Sequence, residues 1–190
     1  MPLNLPNLLT WLRILMIPAV IGVYYVPDTW MSAGEKNLLA TVLFVGAAVT
    51  DWLDGYLARK LNQTSAFGAF LDPVADKLIV CTALVVLVHL DRVDALVAAI
   101  IIGREITISA LREWMAQVGA SASVAVHSIG KLKTIAQLVA IPMLLFHGSL
   151  FGLLDTRFVG TWLLYLAAVL TVWSMAYYLQ RAWPYLQGSR

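Results

Sequence analysis

Residues 51–76 begin Asp51-Trp52-Leu53-Asp54-Gly55-Tyr56-Leu57-Ala58-Arg59 and, after eight further residues, close with Gly68-Ala69-Phe70-Leu71-Asp72-Pro73-Val74-Ala75-Asp76. Both halves adjoin apolar runs, approximately Leu38–Ala58 and Phe70–Leu90, each of the length that spans a bilayer as a helix. Asp51 and Asp54 are three apart and Asp72 and Asp76 four apart, so each pair occupies one helix face. The turn at Asn62-Gln63-Thr64-Ser65 makes the two helices antiparallel neighbours. A carboxylate at the centre of a spanning helix costs about 2.5–3.5 kcal/mol on insertion scales. Two facing pairs therefore need partners.

Working outward, the rest of the chain has the same character. Of its 190 residues 61% are hydrophobic and 13% charged, with mean hydropathy +0.80. A soluble core of this size cannot hide so much apolar surface, which excludes a water-soluble domain, a disordered chain and a disulfide scaffold. Cys81 is alone and can form no internal disulfide. Four more apolar windows run approximately over Leu8–Val26, Val93–Met115, Ile129–His147 and Val159–Gln180. The expected fold is all-α: one transmembrane domain over residues 1–190, with six transmembrane helices and no cleavable signal peptide. Pro27-Asp28 reads as a turn. Six spans place both termini on one side. That side collects Arg13, Arg59, Lys60, Lys77, Arg104, Arg112, Lys131, Lys133, Arg181 and Arg190, against Lys36, Arg92 and Arg157 on the other. The positive-inside rule makes the crowded side cytoplasmic. The aspartate pairs lie near it.

Four like charges at close range repel unless protons, basic side chains or metal ions intervene. Arg59 and Lys60 could offset part of the charge, and a network of aspartates with basic residues is one reading. The other is a site for hard divalent cations, Mg²⁺ or Mn²⁺, which take oxygen ligands and bind phosphates as well. Two such ions about 3.5–4 Å apart clamp the attacking and leaving oxygens of a phosphoryl displacement. Gly55, Ala58 and Gly68 are small residues beside the carboxylates, where a ligand or a second helix could approach closely.

Read as a string, Asp-x-x-Asp-Gly-x-x-Ala-Arg, eight residues, Gly-x-x-x-Asp-x-x-x-Asp resembles the signature of the CDP-alcohol phosphotransferases at every fixed position. The six expected spans agree with that family's architecture. The opening Asn4–Arg13, the stretches Gly103–Ile106 and Ser109–Met115, and the segments Ser123–Val126 and Ile129–Thr134 are similar to the branch that uses glycerol 3-phosphate. The resemblance implies transfer of a phosphatidyl group from CDP-diacylglycerol to that acceptor, with release of CMP, by a homodimer in a bacterial cytoplasmic membrane. It also implies that Asp51, Asp54 and Asp72 ligate metal. Asp76 would accept a proton and touch a second ion. Asn7, Thr10, Gly55, Arg59 and Ser65 match positions that hold CDP-diacylglycerol.

A phosphorylated acceptor needs a cationic site of its own. Arg104 and Arg112 are eight apart, on a common side of one expected helix, and Lys131 and Lys133 open the next from the same side of the membrane. Together they read as the glycerol 3-phosphate pocket, or else as anchors to anionic head groups. Serine, inositol phosphate or phosphatidylglycerol as acceptor are the nearest rival readings. A cation or proton transporter is more remote, because its carboxylates would run through the membrane depth and repeated halves would be expected. Tryptophans and tyrosines such as Trp11, Trp162, Tyr177 and Tyr178 are expected in aromatic belts. His127 is expected to be an ordinary loop residue, and Met115 and Met143 to pack or to face lipid.

Overall fold

A computed structural model of the chain describes residues 5–61, 66–119, 128–150 and 152–187. It contains six helices among them: α1 (Leu5–Tyr25), α2 (Ala33–Leu61), α3 (Ala66–His89), α4 (Ala95–Gln117), α5 (Ser128–Phe146) and α6 (Thr156–Leu186). A two-residue hairpin, β1 (Ser149–Leu150) with β2 (Leu154–Asp155), joins the last two. Each helix coincides with one expected window to within a turn or two. The segment 62–65 and His127 lie outside the described residues.

Local chemistry sets the helix ends. Ser32 and Glu35 form a reciprocal capping box at the start of α2: the Ser32 N–H and hydroxyl donate to Glu35 Oε2, and the Glu35 N–H points back to Ser32 Oγ. Asp94 caps α4 by accepting from the Leu96 N–H, and Asp155 caps α6 by accepting from that of Arg157. α3 ends in a Schellman turn, with Asp91 at φ 54° and the Arg92 N–H reaching the Leu87 carbonyl.

Packing is helix on helix. α1 lies against both α2 and α3, α5 against α2 and α6, and α4 against α6 and α3. One buried cluster draws on all six helices, through Val20, Phe44, Leu84, Ile101, Leu144 and Leu164. A smaller one, Ile108, Met115, Tyr178 and Ala182, joins α4 to α6. Large apolar side chains including Leu15, Val42, Val85, Ile106 and Val169 cover the outside. A surface so apolar is stable against lipid and not against water. Three helical segments, Leu8–Tyr25, Ala33–Leu57 and Thr156–Tyr185, are long and apolar enough to cross a membrane. The protein is an all-helical membrane protein.

At the end remote from the aspartates, Arg92 fastens three elements. Its guanidinium donates to the terminal α5 carbonyls of Leu144 and Leu145, at 3.1 and 2.8 Å, and to Asn37 Oδ1 on α2 at 2.8 Å. α5 and α6 are tightest at Gly160, where a Cβ would lie 2.9 Å from Leu144 Cγ and 3.2 Å from Met143 Cβ. Leu144 is itself buried and cannot retreat. Gly160→Ala is therefore expected to destabilise the protein by about 1–3 kcal/mol, the usual cost of overpacking. A lowered melting temperature in detergent checks this, with Gly22→Ala, whose Cβ meets nothing within 4 Å, as the neutral control.

Candidate active site

Three helices build the acidic cluster. α2 supplies Asp51 and Asp54, α3 supplies Asp72 and Asp76, and α1 lies against both with Thr10 and Arg13 on one of its faces. Arg13 is fully buried. Its Nη1 stands 2.8 Å from Asp51 Oδ1, and its Nη2 donates to Asp54 Oδ2. The Thr10 hydroxyl donates to Asp72 Oδ1 at 2.8 Å. Asp54 is buried and lies within electrostatic reach of Asp51 and Asp72. Asp76 is coupled in the same way to Asp51, Arg13, Lys77 and Glu105. Asp54 thus shares a field with Asp51 and Asp72, and Asp76 shares one with Asp51.

Among the described residues their counter-ion is Arg13, which the sequence did not single out for this role, and the Arg59 side chain lies outside those residues. The sequence offers Arg59 and Lys60 for this role. The structure uses Arg13, while Lys60 Nζ rests 5.6 Å from the centre of the Tyr56 ring. An arginine inside an otherwise apolar first helix was the available signal. Among the described residues no three His, Cys, Asp or Glu side chains are arranged as ligands of a common ion. The guanidinium engages Asp51 and Asp54 instead. Even so, the donor set is four carboxylates with no nitrogen or sulfur, and one guanidinium leaves it anionic. The chemistry of this donor set suits a hard, oxygen-ligated divalent cation, although its arrangement here is closed on the guanidinium and not on an ion. Beside them Gly55 has nothing within 4 Å of where a Cβ would stand, so the approach over it is open.

Basic residues gather next to this cluster. Lys133 on α5 donates to Glu105 Oε1 on α4, and Arg104 Nη1 stands 3.6 Å from the same oxygen. Arg104 is buried, donates to Ser174 Oγ at 2.9 Å and lies 5.8 Å from the Tyr178 ring centre. Arg112 is exposed, sits 5.3 Å from that ring centre and donates to the Tyr178 hydroxyl at 3.3 Å. Arg104, Arg112 and Lys133 therefore meet as expected. Glu105 in their midst and Tyr178 beneath them were not assigned this role from the sequence. Tyr178 also corrects an expectation. It is 1% exposed and forms a shelf for two guanidinium groups, so it belongs to no interfacial belt. Met115 is core. Ser65 and the side chains of Asn7, Arg59 and Lys131 lie outside the described residues.

The motif with its eight specified residues, the six helices and the joined acidic and basic clusters meet their counterpart in one comparison. A family model for CDP-alcohol phosphatidyltransferases matches residues 3–173. The chain belongs to that family. It is 49% identical over 184 residues, 96% of either chain, to the CDP-diacylglycerol–glycerol-3-phosphate 3-phosphatidyltransferases of Escherichia coli (strain K12) and Shigella flexneri serotype 5b. The family match spans every aspartate of the cluster and all four basic positions, so the resemblance carried by residues 51–76 extends to the bundle around them.

Breaking a buried ion pair from one side strands the other charge, at a cost of about 3–5 kcal/mol. Arg13→Met is accordingly expected to lower the melting temperature sharply in EDTA. Adding Asp54→Asn to that variant is expected to recover much of the loss. Independent, additive effects of the two changes in a thermal-denaturation cycle would show that the pair is not coupled.

Proposed function

We propose that the protein transfers the phosphatidyl group of CDP-diacylglycerol to glycerol 3-phosphate, forming phosphatidylglycerophosphate and CMP. The observation that carries this reading is the adjacency of the two clusters: Asp76 and Glu105 line one cavity, with Lys133 and Arg104 gathered on Glu105. A hydroxyl placed at Asp76 and a phosphate placed among the cations are the two ends of one small acceptor. The 49% identity to enzymes named for this acceptor supports the same choice.

In this reading Asp51, Asp54 and Asp72, with Asp76 at a second ion, would hold Mg²⁺ or Mn²⁺, whose charge offsets the diphosphate and the departing CMP. Asn7, Thr10, Gly55, Arg59 and Ser65 hold the cytidine diphosphate portion. Asp76 accepts the proton of the acceptor's primary hydroxyl as that oxygen attacks the phosphorus bearing diacylglycerol and the bond to CMP breaks. General-base assistance of this kind is worth about 10²–10⁴-fold. Arg104, Arg112, Lys131 and Lys133 orient the acceptor phosphate. Arg112 is the most accessible of the three whose side chains are described, and its planar group suits two-point contact. All six helices span the bilayer with both termini and the site cytoplasmic, and the working unit is a homodimer in a bacterial inner membrane. A lipid donor and a water-soluble dianion can meet only at such an interface.

The test is CMP release and lipid product from purified protein given labelled CDP-diacylglycerol and a panel of acceptors. Glycerol 3-phosphate with Mg²⁺ is expected to give turnover, and EDTA to stop it. Serine, inositol phosphate and phosphatidylglycerol are expected to give little, so a preference for any of them would displace the proposed reaction. Asp76→Asn is expected to lose at least about 10²-fold in kcat while still binding CDP-diacylglycerol. Turnover near the parent value would remove Asp76 from the proton transfer.

A further inference from the structure

Between α3, α4 and α5 lies a cavity of about 80 Å³ whose polar wall is Asp76, Lys77, Glu105, Thr134 and Gln137. Gln137 is 5% exposed, and its Nε2 has no hydrogen-bond partner among the described residues. A buried amide donor left unmet is unfavourable, and native structures rarely retain one without a use for it. Gln137 follows Lys133 by four residues, so both occupy one face of α5, the face that reaches Glu105 across the cavity. The cavity wall therefore brings together the carboxylates of Asp76 and Glu105, the Lys77 ammonium, the Thr134 hydroxyl and the Gln137 amide, whose N–H donor is left uncommitted among the described residues, with Lys133 and Arg104 held behind Glu105.

We propose that Gln137 reads the secondary hydroxyl of the acceptor, its Nε2–H donating to that oxygen. The inference rests on the proposed reaction. An acceptor with its primary hydroxyl at Asp76 and its phosphate among Arg104, Arg112 and Lys133 carries its middle carbon between them, where the only polar atom left to recognise is the secondary oxygen. A hydroxyl also donates, and the Glu105 carboxylate on the same wall accepts. A site built to hydrogen-bond a substrate hydroxyl discriminates against the analogue lacking it, because its own polar group is then stranded. Gln137 is thus a specificity-determining residue, and it adds nothing to the displacement itself.

The test compares glycerol 3-phosphate with 3-hydroxypropyl phosphate, the same acceptor without its secondary hydroxyl. The parent enzyme is expected to favour glycerol 3-phosphate in kcat/KM. Gln137→Leu and Gln137→Met both remove the donor at similar volume and add no charge beside Asp76 and Glu105. Each is expected to lose about 10-fold or more of kcat/KM toward glycerol 3-phosphate and to leave 3-hydroxypropyl phosphate within about twofold, so that the preference collapses. An unchanged KM for CDP-diacylglycerol reports an intact fold, and if Gln137→Leu does not fold, Gln137→Met carries the comparison. Equal losses toward both acceptors, or a preference that survives in the variants, would overturn the assignment and leave Gln137 a packing residue hydrated by water. A parent enzyme that ignores glycerol 3-phosphate and turns over another acceptor overturns the proposed reaction instead.

Discussion

The guanidinium of Arg13, wholly buried between Asp51 and Asp54, is the interaction on which the rest depends. Coulombic attraction grows as the dielectric falls, and so does the cost of a charge left alone. A helix carrying Arg13 and a helix carrying Asp51 and Asp54 are therefore each costly in a bilayer alone and tolerable together. With Thr10 on Asp72, the same face of α1 engages α3 as well. These polar contacts tie the three helices to one another at a single register. Buried ion pairs contribute little net stability against an apolar replacement, but register is the use for which they are best attested.

How legible this was depends on the kind of signal. The helices were readable because long apolar runs mark them, and all six helices appear where the hydropathy places them, three of them long and apolar enough to cross a membrane. The hairpin between α5 and α6 was not readable. Its strands are two residues each, too short to show any alternation, and Thr156, through its hydroxyl to Gly148, matters more there than any pattern. The placing of each aspartate pair on one helix face, within reach of the other pair, was legible from helical spacing, which is local. The counter-ion did not follow, because Arg13 is 38 residues before Asp51 and only tertiary packing of α1 brings them together. Glu105 and Tyr178 were obscured for a related reason. Glu105 adjoins Arg104 in sequence and reads as its neighbour's partner, whereas it also receives Lys133 from another helix. Tyr178 sits near the end of an apolar window, where an aromatic residue ordinarily faces the lipid head groups.

The two ends of the bundle are built differently. At the remote end Arg92 satisfies terminal helix carbonyls and an asparagine, and Lys36 pairs with Asp28 at 2.6 Å. The charges there close helix ends and turns. At the aspartate end, charges lie within the helices and on faces that look at one another, and an amide unmet among the described residues lines the cavity they border. Charge inside a helix cannot serve to cap it. Its position on a facing surface is what suits it to a ligand, and this distinction separates the site from the scaffold more clearly than the number of charges does.

Both halves of the site solve one electrostatic problem in mirror image. A donor carrying a diphosphate and an acceptor carrying a phosphate require like charges to be gathered before either arrives, and gathered like charges in a low dielectric repel. Among the described residues, Arg13 is the cation in salt bridges within the acidic half and Glu105 the anion in salt bridges within the basic half. Each internal counter-charge holds its cluster together, and each leaves one charge outside its salt bridges: Asp76 on one side, the exposed Arg112 on the other. Full neutralisation would stabilise the empty protein and give an arriving ion nothing to bind. No neutralisation would push the helices apart. One counter-charge per cluster keeps the bundle assembled while preserving a net sign, negative where a divalent cation would sit and positive where a phosphate would, and the two signs are adjacent because the reaction joins them.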